Sequence, residues 1–234
     1  MTVRAVLFDV GETLVHPAPS FPALFSQVLA REGHIREEAD VLAASAVVLE
    51  RFSEASRERQ AWTLSPEASR AFWIDIYQCM LVSLELPSAN GLRETLYAAF
   101  TDLDNYALFD DVHPVLASLR EQGIAAGIVS NFEAWLDELL EHLQVREEFP
   151  VRVISGLEGI EKPDLEIYAV ALERLGLPAD QVAFVGDNPE FDIVPPKALG
   201  MTAVLIDRRE RHPDHDGIRI TDLRDLPRSL EEAS

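Results

Sequence analysis

Short apolar runs alternate with amphipathic stretches at the start and through the second half of the chain. These strand-like, mostly apolar stretches lie at residues 5–8, 124–129, 151–155, 182–186 and 202–207, with a shorter one at 218–220. Continuous apolar runs of this length are typical of strands that are buried on both faces of a parallel sheet. The segments between them have helical spacing, and strands that alternate with helices form right-handed crossovers. We therefore predict an α/β fold with a Rossmann-like parallel sheet core and helices on both faces.

A long stretch of helical periodicity separates the first strand from the others. Two prolines in the preceding segment, residues 14–20, predict a loop that ends the regular structure. Apolar positions then recur at helical spacing over residues 21–29, 38–60, 66–85 and 90–101. We predict an all-helical insert of about four helices after the first strand.

The insert defines the predicted domain organisation. Residues 1–16 and 105–234 would form the α/β core, and residues 17–104 would form a second, helical domain. The tryptophans Trp62 and Trp73 fall within the helical domain, and we expect them to pack in its own core.

The charge balance limits the classes of partner. With 41 Asp and Glu residues against 20 Lys and Arg, the formal net charge is −21. This charge argues against nucleic acid, because phosphate backbones are bound by clustered basic side chains. A site for a phosphorylated substrate would need a metal ion, a placed lysine or a helix N-terminus to supply local positive charge. We expect a small-molecule substrate and a monomer or homodimer.

Apolar segments and cysteine content bear on location and redox chemistry. No apolar run approaches the roughly 18 residues of a membrane span, and the N-terminus begins with a strand pattern instead of a signal segment. We therefore expect a cytoplasmic protein without a membrane partner. The single cysteine, Cys79, lies in an aromatic, helix-like stretch, so we expect a core thiol with no catalytic role.

Polar residues follow four of the predicted strands. These residues are Asp9, Ser130, Asn131, Lys162, Asp187 and Asn188. Taken singly, each has an ordinary structural interpretation as a helix cap, a solvated loop charge or a turn residue. The carboxyl ends of parallel strands meet at one edge of a sheet, so these residues would come together there. Together they would supply a nucleophile, a hydroxyl donor, a fixed cation and a second carboxylate, as phosphoryl transfer through an aspartyl intermediate requires.

At this point the sequence resembles the haloacid dehalogenase superfamily of hydrolases, and specifically its members with a helical cap. The first family motif usually reads Asp-x-Asp-Gly-Thr and is matched by Asp9-Val10-Gly11-Glu12-Thr13. The second motif, a Ser or Thr after a strand, is matched by Ser130, and the third, a Lys before a helix, by Lys162. The fourth motif, Gly-Asp followed by another acid, is matched by Gly186-Asp187 and Asp192. The resemblance covers nearly the whole chain and identifies the helical insert as a cap domain.

The resemblance implies a role for each of these residues. Asp9 would attack the substrate, and Ser130 and Asn131 would hold phosphoryl oxygens. Lys162 would neutralise charge between the nucleophile and the transferring group. Mg²⁺, which prefers carboxylate and carbonyl oxygens with several waters, would be bound by Asp9, Asp187 and the main-chain carbonyl of Gly11. The remaining implied site residues are Thr13 as a substrate-binding residue and Glu12, Asn188 and Asp192 as auxiliary groups, with a helix cap as an equal alternative for Asp192.

Gly11 departs from the family pattern. Phosphatases of this family carry a second aspartate at this position, which protonates the leaving group and then activates water. Loss of general acid–base catalysis costs about 10²–10⁴ in rate for an alkoxide-like leaving group and far less for a group that leaves readily as an anion. Glu12 and His16 are the nearby candidates to replace the missing acid.

Three classes of function therefore remain open. The first is a Mg²⁺-dependent phosphatase, in particular one restricted to activated phosphates such as acyl or aryl esters. The second is a 2-haloacid dehalogenase-like hydrolase, because halide needs no proton to leave; family dehalogenases, however, typically carry Tyr in place of Gly11 and lack an Asp at the position of Asp187. The third is a catalytically degenerate binding protein of the same fold. The cap contains no motif that identifies a substrate, and Arg31 and Arg36 are more typical of solvated surface charges than of anion-binding residues.

Overall fold

A computed structural model describes residues 3–58, 60–87 and 91–232. The chain divides into two compact units, one formed by Met1–Val15 with Leu108–Ser234 and the other by His16–Ala107. Its strands in chain order are β1 (Ala5–Phe8), β2 (Val15–Pro17), β3 (Tyr106–Leu108), β4 (Ala125–Ser130), β5 (Val151–Ile154), β6 (Val182–Gly186), β7 (Thr202–Ile206) and β8 (Ile218–Ile220).

The helices fall into two groups, one in each unit. The helices of the His16–Ala107 unit are α1 (Phe21–Arg31), α2 (Glu38–Ala44), α3 (Ala46–Glu58), α4 (Pro66–Ser83) and α5 (Leu92–Ala99). Those of the other unit are α6 (Val112–Glu121), α7 (Leu136–His142), α8 (Ser155–Glu158), α9 (Leu165–Leu175), α10 (Val194–Leu199) and α11 (Leu226–Glu232). In the part of the chain that the structure describes, no helix is both long enough and apolar enough to cross a bilayer.

A six-stranded parallel sheet organises the first unit. The strand order is β5-β4-β1-β6-β7-β8, so the chain adds β4 and β5 on one side of β1 and then β6, β7 and β8 on the other. Because the crossovers are right-handed, a reversal of this kind places helices on both faces of the sheet. The predicted α/β, Rossmann-like fold is confirmed, and β1 is the strand at which the winding direction changes.

The core of this unit surrounds β1, whose four residues are all fully buried. Leu7 of β1 belongs to one apolar cluster with Val129 of β4, Phe184 of β6 and Tyr168 of α9. Burial on both faces explains why β1 reads as an unbroken apolar run in the sequence. The same burial fixes the backbone that leads into Asp9.

Among its described residues, the second unit contains five α-helices where about four helices were predicted. The predicted helix over 38–60 is divided at Ser45, which ends α2 and whose hydroxyl donates to the carbonyl of Leu42 at 2.7 Å. Serine competes in this way for main-chain groups and therefore favours helix ends. Residues 59 and 90, which the predicted helices included, lie outside the described residues. The helix predicted over 66–85 begins at Pro66, and the Ser65 hydroxyl caps it by accepting a hydrogen bond from the amide of Ala68.

Aromatic packing fills the core of the helical unit, as predicted. Trp62 stacks on Phe72 with ring centroids 5.2 Å apart, and Phe52 contacts both Trp62 and Trp73. Cys79 lies partly buried on α4, where burial raises the pKa of its thiol. A raised pKa disfavours the thiolate, in keeping with the absence of an assigned role.

Residues 14–20 do not form only the predicted loop. Val15–Pro17 forms β2, which pairs with β3 in a two-stranded sheet. The prolines of this segment predict a break, but proline is tolerated at the end of an edge strand, where no N–H is needed. The two strands lie where the chain passes between the units in each direction.

Candidate active site

Three neighbouring strands bring polar residues to one end of the sheet. The last residue of β1 pairs with Ile128 of β4 on one side and with Val185 of β6 on the other. Asp9 therefore stands within one residue of Ser130 and of Asp187 in the register of the adjacent strands. These are carboxyl ends of strands at the point where the winding direction reverses, which is where open α/β sheets bind ligands.

A buried lysine joins two carboxylates at this end of the sheet. Lys162 lies in the loop between α8 and α9, is 2% exposed, and donates from Nζ to Oδ1 of Asp9 and to Oδ1 of Asp192, both at 2.7 Å. The hydroxyl of Ser130 also donates to Oδ1 of Asp9, at 3.1 Å. Burial alone would lower the pKa of Lys162, but the negative charges of Asp192 and Asp9 raise it overall. Lys162 is therefore a fixed cation, and both donors to Asp9 end on Oδ1 and leave Oδ2 for other contacts.

The side chain of Asn131 positions this lysine. Its Nδ2 donates to the main-chain carbonyl of Lys162 at 2.8 Å, and its Oδ1 accepts from the Lys162 amide at 2.6 Å. The resemblance led us to expect Asn131 to hold phosphoryl oxygens. In the structure its side chain bonds the backbone of the lysine loop, and its contact with phosphoryl oxygens stays a prediction.

Three carboxylates form a cluster around this lysine. Asp9, Asp187 and Asp192 each offer an oxygen, and these atoms all lie within 4.8 Å of one another. Burial is the largest cause that raises the pKa of Asp187 well above its usual value, and the charges of Asp9 and Asp192 raise it further. Three acids facing one ammonium leave an excess of negative charge, and all of the donors are oxygens. A hard divalent cation such as Mg²⁺ fits both the charge and the donor set.

Asp192 is fixed from two directions. It lies on a π-helical turn, Pro189–Ile193, and its Oδ2 accepts the main-chain amide of Asn188 at 3.0 Å while its Oδ1 accepts Lys162. Burial raises the pKa of Asp192 to about 6, and the charge of Lys162 opposes that rise. The carboxyl group lies so close to Gly186 that an added Cβ there would overlap it. Asp192 thus contacts the lysine and also accepts a main-chain amide at the start of the π-helical turn.

Asn188 has a local structural contact. Its Oδ1 accepts the main-chain amide of Glu190 at 2.9 Å and so caps the π-helical turn. A side chain used as a cap has one acceptor less for a ligand. The structure thus places Asn188 beside the cluster and assigns its side-chain oxygen to the turn.

The loop after β1 has room for a side chain at Gly11. The φ angle of Gly11 is not positive, and an added Cβ would meet no other described heavy atom within 4 Å. The next residue, Glu12, has a φ angle of 56° instead. The left-handed conformation that favours glycine thus occurs at residue 12, one position after the glycine of this chain.

The candidate replacements for the missing acid have other partners. The carboxylate of Glu12 accepts a hydrogen bond from Nη2 of Arg209 at 2.7 Å. His16 belongs to the helical unit, where its Nδ1 lies 2.8 Å from the carbonyl oxygen of Pro17.

Thr13 is fully buried, and its hydroxyl has no hydrogen-bond partner among the described residues. Arg36 likewise donates to the Leu84 carbonyl within the helical unit.

Sequence reasoning missed the residues that surround this loop. Arg208 and Arg209 follow β7, and Arg208 donates to both carboxylate oxygens of Asp111 and to the carbonyl of Thr13. A pair of arginines directly after a buried strand repeats the signal that identified Asp9, a polar residue at a strand end. That signal was present in the sequence at Asp207-Arg208-Arg209.

Comparisons with known proteins find one family over most of the chain. A family model for haloacid dehalogenase-like hydrolases matches residues 3–200. A phosphoserine phosphatase from Thermus thermophilus is 29% identical over 231 residues, which cover 95% of this chain and 90% of that protein. The haloacid dehalogenase-like hydrolase domain-containing protein 3 of Danio rerio is 33% identical over 124 residues, which cover 53% of this chain and 51% of that protein. This chain thus spans only about half the length of that relative.

Solved structures resemble the whole chain. The crystal structure of the L-2-haloacid dehalogenase RSc1362 is similar to this chain with a TM-score of 0.75 and 26% sequence identity. The match covers 99% of this chain and 100% of that one. A HAD phosphatase from Thermococcus onnurineus has a TM-score of 0.61 at 22% identity, with 97% of this chain and 98% of that one covered, and shows the shared fold. Known phosphatases and known dehalogenases therefore both lie among the similar proteins.

Proposed function

The chain belongs to the haloacid dehalogenase-like hydrolases, and we propose that it is a Mg²⁺-dependent phosphatase that acts through Asp9 on a small phosphorylated metabolite. The observation that carries this proposal is the cluster of Asp9, Asp187 and Asp192 around Lys162, with Ser130 donating to Asp9. The phosphoserine phosphatase relative from Thermus thermophilus supports a small phosphorylated substrate.

Asp9 supplies the nucleophile. Lys162 and Ser130 both donate to Oδ1, so Oδ2 forms the bond to phosphorus while the bond from phosphorus to the leaving oxygen breaks and the leaving group takes the electron pair. Water then attacks the phosphorus of the aspartyl phosphate, the bond to Asp9 breaks, and inorganic phosphate leaves. Lys162 offsets negative charge at the attacking carboxylate throughout, because its ammonium is fixed by two ion pairs.

The metal would be held by Asp9, Asp187 and the carbonyl of Gly11. When bound, Mg²⁺ neutralises charge on the phosphoryl oxygens as a Lewis acid. The raised pKa of Asp187 supports this assignment, since its causes are burial and the charges of neighbouring carboxylates, which a cation would offset. Asp192 already accepts Lys162 and the Asn188 amide and would stay outside the direct ligands.

The substrate class follows from Gly11. With no acid at residue 11, and with Glu12 bonded to Arg209, the leaving group has no assigned proton donor. Groups that leave readily as anions lose little from this, whereas alkoxides lose about 10²–10⁴ in rate. We therefore propose acyl or aryl phosphates as the preferred class, with the helical unit acting as the substrate-selecting cap.

A 2-haloacid dehalogenase activity is the second candidate. Gly11 favours it, because halide departs without a proton, and so does the 26% identity to the dehalogenase RSc1362. Asp187 argues against it, since displacement of halide by Asp9 needs no metal and gains nothing from a further carboxylate beside the nucleophile.

One panel of assays separates these functions. Turnover is measured on p-nitrophenyl phosphate, acetyl phosphate, an alkyl phosphate and 2-chloropropionate, each with millimolar Mg²⁺ or with excess EDTA. Millimolar Mg²⁺ suits a site in which the ion keeps several of its waters. The proposal expects phosphate release from the first two substrates only when Mg²⁺ is present. With a substrate whose phosphoryl group is radiolabelled, label should remain on Asp9 after the reaction is quenched with acid. Halide release in EDTA would establish the dehalogenase instead, and no turnover with any substrate would leave only a binding protein.

A further inference from the structure

Two consecutive arginines contact two consecutive residues of the loop after β1. Nη2 of Arg208 donates to the main-chain carbonyl of Thr13 at 2.7 Å, and Nη2 of Arg209 donates to the carboxylate of Glu12 at 2.7 Å. The arginines lie 195 and 197 residues away from their partners along the chain. They also lie beyond residue 200, where the match to the family model ends.

Arg208 is itself held in place by a buried network. Its guanidinium forms a two-pronged ion pair with Asp111, at 2.8 and 2.9 Å, and lies over the ring of Phe109, 3.8 Å from the centroid. Asp111 is 2% exposed, and its Oδ2 also accepts the amide of Leu223 at 2.8 Å. A planar guanidinium fixed on several sides has little freedom left, so Nη2, which also donates to Asp111, is held toward the Thr13 carbonyl.

The loop that these arginines contact needs such support. Glu12 has a left-handed backbone, which is unfavourable for a residue with a side chain. Gly11 precedes it and adds flexibility. The peptide between residues 11 and 12 contains the Gly11 carbonyl, which under the proposed function is a Mg²⁺ ligand. The orientation of Glu12 therefore sets the orientation of that carbonyl.

We propose that Arg208 and Arg209 are positioning residues, which hold the loop after β1 so that the Gly11 carbonyl and Asp9 are aligned for Mg²⁺ and substrate. This inference rests on the proposed function for the identity of the ligand. Arg208 fixes the main chain at Thr13, and Arg209 fixes the side chain at Glu12. Groups that orient metal ligands in this way affect metal affinity or activity by about 10–100-fold when they are removed.

The test uses the full chain with six variants. Arg208→Lys keeps the charge and loses the two-pronged geometry, and Arg208→Ala loses both. Arg209→Gln and Glu12→Gly each remove the ion pair between Arg209 and Glu12, and the double variant combines these two changes. Arg228→Ala is the matched control, since Arg228 is an arginine of the same unit whose side chain is 71% exposed and pairs with the surface acids Asp225 and Glu232. Each variant is measured for melting temperature, Mg²⁺ affinity by calorimetry without substrate, kcat and KM on p-nitrophenyl phosphate, and hydrogen exchange of residues 10–15 in EDTA.

The expected results separate positioning from general stability. Arg208→Ala should weaken Mg²⁺ binding and lower kcat by about 10–100-fold with little change in KM, Arg208→Lys should fall between it and wild type, and amide exchange at residues 10–15 should accelerate in both. Arg209→Gln should have a smaller effect of the same kind and none once Glu12 is already Gly, because the two residues act as one pair. Arg228→Ala should match wild type in every measurement.

Failure of this inference differs from failure of the proposed function. If the Arg208 variants lower the melting temperature but leave loop exchange and the Mg²⁺ affinity of the folded protein unchanged, the arginines are merely structural and the inference is wrong. Arg209→Gln keeps the test decisive if Arg208→Ala fails to fold, because unchanged exchange and affinity in that variant would also refute it. A wild type that neither binds Mg²⁺ nor hydrolyses phosphates refutes the proposed function, and the exchange data still decide whether the arginines order the loop.

Discussion

Asp187→Asn should make the metal-free protein more stable at alkaline pH while abolishing its response to Mg²⁺. Asp187 faces Asp9 and Asp192 with oxygens within 4.8 Å of one another. At an effective dielectric constant near 20, two unit charges at that separation repel by about 3.5 kcal/mol. Lys162 offsets part of this repulsion, so we expect about 1–3 kcal/mol of relief when the charge at residue 187 is removed.

The change of folding stability with pH tests the direction of this effect. The pKa of Asp187 is raised by burial and by its neighbours, so between its ordinary value and the raised value the folded state binds more protons than the unfolded state. Stability must then fall as pH rises through this window. In EDTA, Asp187→Asn should match wild type near pH 4 and exceed it progressively toward pH 8, with a melting temperature higher by about 2–4 °C per kcal/mol.

The assay is thermal unfolding from pH 4 to pH 8, in EDTA and in saturating Mg²⁺. A ligand at 100 times its Kd stabilises the folded state by about 2.7 kcal/mol, and this gain should appear in wild type and be lost in Asp187→Asn. Asp214→Asn, at an exposed carboxylate of the same unit, controls for the change in net charge. If the variant is less stable than wild type at pH 8 in EDTA, the charge argument is refuted. If the variant gains as much stability from Mg²⁺ as wild type does, the metal assignment is refuted.

Three further predictions concern the reaction itself. Asp9→Asn should lose turnover and the acid-stable radiolabel while circular dichroism stays unchanged, because an amide does not attack as a carboxylate does; residual turnover near wild type would remove Asp9 from the mechanism. Lys162→Met should destabilise the protein by about 3–5 kcal/mol in denaturant titrations, since it leaves buried acids unpaired, and a change within error would contradict the ion pairs. Gly11→Asp, alone and with Glu12→Gly, should raise kcat/KM for alkyl phosphates by up to ~10² and leave kcat/KM for aryl phosphates nearly unchanged. If the wild type hydrolyses both classes at equal rates, another group acts as the acid.

The positions of the site residues were predictable where they follow from the order of strands. Asp9, Ser130 and Asp187 each come directly at or after the end of a buried strand, and strand ends can be read from apolar runs alone. Lys162 lies in the loop after β5 and α8, and it was predicted from that position together with the motif that it matches. The structure brings all four to one end of the sheet, with Lys162 and Ser130 both bonded to Asp9.

Other features depended on contacts that no local pattern encodes. The pair of Arg208 and Asp111 joins residues 97 positions apart, and neither residue indicates the other in sequence. The commitment of Asn131 to the Lys162 backbone depends on the conformation of two loops. The division of the second predicted helix at Ser45 reflects one hydroxyl bond, which helical periodicity does not contain. Such choices among equally available partners are made by the tertiary structure.

The loop after β1 has a left-handed residue at position 12, where the family pattern has glycine and this chain has Glu12. In the family pattern the acid precedes the glycine, whereas here Gly11 precedes Glu12, and Glu12 has the left-handed φ of 56°. A simple shift of the turn by one residue would have moved the left-handed conformation to Gly11, which does not occur. The left-handed conformation therefore lies at the position of the family pattern's glycine, where Glu12 bears a conformational cost of about 1 kcal/mol or more. That cost is opposed by the bond to Arg209 and by the anchoring of the next residue through Arg208. The loss of an acid at residue 11 and the presence of the two arginines after β7 are thus parts of one local arrangement.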